Sequence, residues 1–106
     1  MRAFATLTRR DDFFRLRQSG RRRGTAHFTI FRHASPPRDT RPLAGITVSG
    51  RIGGAVVRNR LRRRIAAALH ELLRGSTPSR LLIVPRPEAA ALSYAAIVAE
   101  LRSALS

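Results

Sequence analysis

The chain has 106 residues, room for one small domain, 1–106, around a single core. Its 21 basic residues, all arginine, stand against six acidic ones, and a formal charge of +15 makes a polyanion, by default a nucleic acid, the expected partner. With no cysteine there are no disulfides or thiolate metal sites, and no apolar run approaches the roughly 20 residues needed to cross a bilayer or forms a signal-peptide core, so a cytoplasmic protein without membrane attachment is expected.

Thr8 followed by Asp11 resembles a helix N-terminus with an acidic first turn, and Gly20 is a natural stop, which predicts a short helix over residues 9–18. Phe13 and Leu16, with Phe14 beside them, supply its buried face. Arg21, Arg22 and Arg23 follow between Gly20 and Gly24 and leave two readings open, a solvated connector or a phosphate-contacting loop. From Thr25 to Arg32 the residues alternate, with Ala26, Phe28 and Ile30 on one side and His27, Thr29 and Phe31 on the other, the period of a half-buried strand. Core packing accounts for such aromatics; a ring on an accessible sheet face beside arginines could instead stack on an unpaired base, and Phe31 is open to both readings.

His33 through Pro42, with Pro36, Pro37 and Pro42, reads as a turn-rich hairpin connection with room for a short strand around Ser35–Leu43. Leu43–Ser49 resumes strand character through Ile46 and Val48. Gly50, Gly53 and Gly54 then release the backbone into Gly53–Leu73. That segment holds five arginines, Arg58, Arg60, Arg62, Arg63 and Arg64, within seven residues. At about 100° per residue Leu61, Ile65, Leu69 and Leu72 fall on one stripe, with Val57 and Ala68 at its margin, so the segment is an amphipathic helix. Arg60, Arg63 and Arg64 project away from the stripe, while Arg58 and Arg62 emerge at its edge with stems able to pack. No carboxylate lies between Asp39 and Glu71, so this cationic side is free for phosphate, which guanidinium binds bidentately. The glycines before the helix suit an anion site, but no Gly-Lys-Ser/Thr follows and this is not a Walker loop.

Gly75 and Pro78 end the helix. Leu81–Val84 is a short continuous apolar run of the kind found in a central strand covered on both faces, closed by Pro85 and Pro87. Glu88–Leu105 has helical spacing through Leu92, Tyr94, Ile97, Val98, Leu101 and Leu105. The order helix, two strands, helix, strand, helix gives an α+β fold, a small α-β sandwich with a sheet of about four strands and three helices.

Gly45-Ile-Thr-Val-Ser49, Gly53-Gly-Ala-Val-Val-Arg-Asn-Arg60 and Leu61-Arg-Arg-Arg-Ile65 together resemble the signature of the protein component of bacterial ribonuclease P, with Arg58-Asn59-Arg60 at that family's arginine-asparagine-arginine motif. The resemblance extends to Asp12-Phe13, Gly20, the Phe28–Phe31 strand and Leu82-Ile-Val-Pro-Arg-Pro87. It implies a left-handed β-α-β crossover and a ribonucleoprotein that removes the 5′ leader from precursor tRNA, the RNA subunit performing hydrolysis with bound Mg²⁺. The protein is then a non-catalytic subunit, in keeping with the lack of paired carboxylates, a Ser-His-Asp order or a cluster of metal ligands; His27, His33 and His70 have no apparent partner.

By the same resemblance Arg51, Arg58, Asn59, Arg60, Arg62, Arg63 and Arg64 contact the catalytic RNA. Phe13, Arg17, Phe28, Phe31 and Ser49 line a cleft for the single-stranded leader. The expected partners are the ribonuclease P RNA and precursor tRNA, with no protein partner. Four positions depart from the family pattern: Arg17 for an aromatic, Gly54 for asparagine, Ala66 for a basic residue and Pro85 for arginine. Arg17 thereby becomes a candidate phosphate contact. A ribosomal or other small basic RNA-binding protein would share the charge without requiring the Gly-Ala-Val-Val-Arg-Asn-Arg run. A helix-turn-helix DNA-binding module needs a helix before its recognition helix, where this chain has a strand and glycines.

Overall fold

The computed structural model describes residues 2–106. Its strands are β1 (Ala5–Thr6), β2 (Arg21–Gly24), β3 (Phe28–Ala34), β4 (Leu43–Ile46) and β5 (Ser79–Pro85), and its helices α1 (Arg10–Ser19), α2 (Ala55–Leu72) and α3 (Tyr94–Leu105). The sheet runs β1-β4-β5-β3-β2, so five strands replace the expected four or so. The apolar run of β5 is accounted for by its central place, antiparallel to β3 and parallel to β4. β4, α2 and β5 form a β-α-β unit between neighbouring parallel strands.

The two additional strands escaped the sequence reading for physical reasons. β1 is two residues long, tied to β4 by Ala5 N–H donating to the Pro42 carbonyl and Leu7 N–H to that of Ala44, both at 2.9 Å. β2 is the arginine run itself, which pairs antiparallel with β3 and so is neither of the loops considered for it. It is exposed along its length, and an edge strand of arginines resists edge-to-edge association. Within 35–43 only Leu43 enters a strand. Residues 88–105 are not one helix: a 3-10 turn over Pro87–Ala91 precedes α3, whose start is fixed by the Ser93 hydroxyl accepting from Ala96 N–H. The N-cap of α1 is Arg9 rather than Thr8, with no side-chain cap.

Alternation sorts the side chains onto two faces. Phe28 and Ile30 of β3, Ala44 of β4 and Leu81 and Ile83 of β5 join Leu61, Ile65 and Leu69 of α2 and Ile97 and Leu101 of α3 in the main core. Phe31 and Leu82 turn the other way and meet Leu7 and Leu16 in a smaller core under α1. Phe13 reaches this second core only because residue 45 is glycine: a Cβ there would stand 2.6 and 2.7 Å from two atoms of the Phe13 ring. Gly45→Ala is therefore expected to lower stability by about 1–3 kcal/mol through overpacking. Thermal denaturation checks this, and Phe13→Leu in the same background should recover part of the loss.

α1 is also locked by charge. Arg80, 5% exposed, donates to both Asp39 carboxylate oxygens at 2.9 and 3.2 Å and to Asp12 at 2.9 Å. On the far face Arg23 donates to the carbonyls of Ala104 and Ser106, and Arg32 to that of Leu105, occupying the open carbonyls at the α3 C-terminus. His27 and His70 do have partners. His27 Nδ1 lies 2.7 Å from Glu100 Oε1, and Glu100 also accepts from the Thr25 hydroxyl and the His27 N–H. His70 Nδ1 accepts from Ala3 N–H.

Candidate nucleic-acid interface

α2 carries its arginines much as its periodicity requires, with Leu61, Ile65, Ala66, Ala68 and Leu69 buried and Asn59, Arg60, Arg62 and Arg63 exposed. Two arginines exchange roles. Arg64, expected to point outward, is half-buried and donates to the Leu92 carbonyl at 3.0 Å, tying α2 to the turn before α3. Arg62, expected only at the edge of the stripe, is fully available, and the Asn59 side-chain oxygen accepts from it at 2.8 Å. That contact ties Arg62 to the helix surface on which Arg60 and Arg63 are also exposed. Arg58 is half-buried, its stem packed and its Nε without a hydrogen-bond partner among the described residues.

The helix begins on glycines. Gly53 has φ 151, a conformation that favours glycine, and Gly54 is the N-cap at φ −71. Asparagine at Gly54 would have covered an amide of the first turn. Glycine leaves those N–H groups without a side-chain acceptor and adjoining Arg58. Arg51 is exposed in the preceding 3-10 turn, Gly50–Ile52, on the same approach to the helix.

The second expected surface, between α1 and the sheet, is assembled differently from the sequence reading. Phe28 is fully buried on the opposite face, in the core under α2 and α3, and cannot line a cleft on the α1 side. Its place in the alternation puts it out of phase with Phe31. Phe31 is on the correct face but 9% exposed, roofed by α1 and by Arg17, whose guanidinium carbon lies 5.8 Å from the ring centroid. Phe13 is half-buried against the same small core. Ser49 is exposed beyond the end of β4, and does not belong to the cluster around Phe31.

What that face presents to solvent is cationic more than aromatic. Arg22 of β2 is the cross-strand partner of Phe31 and shares its side of the sheet. Arg17 and Arg22 thus flank Phe31 from α1 and from the edge strand, with half-buried Thr29 and Val84, paired across β3 and β5, continuing the strip. In the sequence Arg22 stands within a run open to phosphate contact; its place beside Phe31 comes only from the pairing of β2 with β3. Among the described residues no three His, Cys, Asp or Glu side chains gather to hold a metal ion, and the two acidic groups that do converge, Asp12 and Asp39, are both engaged by Arg80.

A sequence model of ribonuclease P matches residues 1–106. The ribonuclease P protein component of Acidothermus cellulolyticus is 38% identical over 96 residues, spanning 89% of this chain and 79% of that protein. That of Thermobifida fusca is 36% identical over 107 residues, spanning 93% and 72%. Among solved structures, the Staphylococcus aureus RNase P protein has a TM-score of 0.85 at 21% identity, covering 94% of this chain and 91% of that one. The Thermotoga maritima protein has a TM-score of 0.78 at 18% identity, covering 92% of each. At these identities the two structures speak for the fold alone.

Proposed function

Since this chain belongs to the family of the ribonuclease P protein component and is the protein subunit that partners ribonuclease P RNA, we propose that its two cationic faces divide the RNAs between them. α2 binds the ribonuclease P RNA, through Arg58, Asn59, Arg60, Arg62 and Arg63, with Arg51 and the open first turn alongside. The α1 side binds the single-stranded leader of precursor tRNA. The observation that carries this division is the placement of Arg17 and Arg22 on either side of Phe31, across the sheet from α2. They would grip leader phosphates, while the strip from Phe31 to Val84 accepts the sugar and base sides of the strand. Phe31, being nearly covered, supports Arg17 more than it stacks.

The role is electrostatic and positional. With Asp12 and Asp39 committed to Arg80, we assign the metal expected for hydrolysis to the RNA subunit. A cytoplasmic site of action follows from that partnership.

The test is the precursor-to-mature tRNA affinity ratio of the reconstituted holoenzyme. Arg17→Ala with Arg22→Ala is expected to lower the ratio about five- to tenfold, since mature tRNA has no leader to lose, and to leave assembly with the RNA unchanged. Both residues are exposed, so the fold should persist. An unchanged ratio would show that the leader is held elsewhere.

A further inference from the structure

Between the edge strand β1, α1 and α2 lies a groove of about 270 Å³ whose walls are mostly apolar and include Phe4, Phe13 and Ile46. Its rim is cationic: Arg62 and Arg63 from α2 and Arg2 from the N-terminal segment, with no carboxylate in the lining. Arg2 stands 5.5 Å from the centroid of the Phe4 ring and presents a guanidinium plane at the mouth. The groove opens into a shallower depression of about 480 Å³ that shares Arg2, Arg63 and Ala66 with it and adds His70. Since His70 Nδ1 accepts from Ala3 N–H, its Nε2 is left as the donor.

We propose that this groove takes one unpaired nucleotide of the ribonuclease P RNA, its base laid against the half-buried Phe13 and Ile46 and its flanking phosphates held by Arg2, Arg62 and Arg63. The proposal rests on the reading of α2 given above. Three features together fit a nucleotide. A volume just under the usual small-molecule range, which begins near about 300 Å³, suits a single base. Apolar and aromatic walls accept a π-face, which every base has. Guanidinium groups at the rim, continuous with the exposed arginines of α2, suit the phosphates on either side. The adjoining depression, floored by Ala67 and edged by His70, gives the strand a way out along α2. By contrast the depression beside Arg21, Arg32 and His33, about 330 Å³, has no Phe, Tyr or Trp in its lining, and its Arg32 is already engaged by the Leu105 carbonyl. Ala66, where the family commonly has a basic residue, also takes on a role: a long side chain at that buried position would fill the groove.

The chain has no cysteine, so a single one can be placed at will. Thr6→Cys, at an exposed position in the groove lining, would carry an azidophenacyl photocrosslinker in the reconstituted holoenzyme. One or two adjacent, unpaired nucleotides of the ribonuclease P RNA should crosslink, with or without precursor tRNA present. The same probe at Ser103→Cys, exposed on α3, gives the background. Ala66→Leu, whose added bulk at a buried position should also lower the melting temperature, should weaken assembly with the RNA about tenfold when compared at equal folded fraction. Crosslinking at Thr6 no stronger than at Ser103, or directed to the leader, would overturn the proposal, as would normal assembly of a folded Ala66→Leu variant. Those outcomes, together with loss of assembly in a variant lacking Arg60, Arg62 and Arg63, would remove the groove and keep the α2 interface; normal assembly of that arginine variant would remove the interface itself.

Discussion

Replacing Arg60, Arg62 and Arg63 together by alanine is expected to weaken assembly with ribonuclease P RNA about a hundred- to thousandfold while the protein folds normally. All three are exposed, and among the described residues the side-chain hydrogen bonds of Arg62 and Arg63 stay within α2, to Asn59. Alanine has the highest helix propensity, and the buried stripe through Leu61, Ile65 and Leu69 is untouched. A chain of formal charge +15 repels itself, so loss of three positive charges should hold the melting temperature level or raise it. The affinity loss corresponds to about 1–1.4 kcal/mol for each lost contact, within the net range of a typical hydrogen bond. Salt titration supplies an independent reading, because each lost phosphate contact should reduce the log-log salt slope by about one. A variant that lost affinity with an unaltered slope would show that the contacts are not to phosphate. Arg64 is left out of this set because its removal would also release the Leu92 carbonyl.

The largest stability effect is expected at Arg80. Its side chain is 6% exposed, and those of Asp12 and Asp39 are 13% and 8% exposed. Arg80→Leu removes the guanidinium that both carboxylates bond to, and should cost about 3 kcal/mol, the low end for breaking a buried ion pair because Asp12 keeps some contact with water and Asp39 keeps the more distant charge of Arg38. Chemical denaturation measures this, and adding Asp12→Asn and Asp39→Asn should restore much of it, since the penalty lies in the orphaned charges. If the triple variant is no more stable than Arg80→Leu, packing at that position, not charge, sets the cost. pH gives a second view of the same site. Hydrogen bonding from Arg80 outweighs burial and holds the Asp39 carboxyl below its ordinary 3.8. Burial pushes Glu100 up, but hydrogen bonds from Thr25 and His27 more than offset it, leaving that carboxyl below its ordinary 4.5. For a group whose folded pKa is depressed, the stabilisation is complete above the unfolded value and fades as pH falls toward the folded one. Acid unfolding should therefore set in below about pH 4.5, and Asp39→Asn should flatten its lower part.

What was legible in the sequence was whatever local periodicity encodes. The buried stripe of α2, the two sides of β3 and the central place of β5 were all visible, because each is set by side chains a few residues apart. The phase of β3 also carried the information that Phe28 and Phe31 face opposite ways. Placing both in one cleft contradicted that alternation, and the structure follows the alternation. The unread features are those made by distant segments. Nothing near Arg80 announces Asp12 and Asp39, and the short β1 exists only because Pro42 and Ala44 accept from it. An all-arginine run such as β2 has no apolar alternation to read, so its strand identity comes wholly from β3. Arg64 differed from its helical projection because the Leu92 carbonyl, from the turn before α3, stands within its reach.

β5 is the middle strand of the sheet, yet it comes last of the five in chain order, after both β3 and β4 that flank it. Until residues 79–85 have left the ribosome, β3 and β4 have no common neighbour and the faces they present to α1 and α2 stay incomplete. Everything before Ser79 is then a set of hairpin and helix fragments rich in arginine, without a core. Folding waits for pairings between residues far apart in sequence, which slows it and makes it all-or-none. No N-terminal fragment should fold by itself, and a nascent chain still short of β5 offers its arginines to polyanions before it has any shape with which to choose among them.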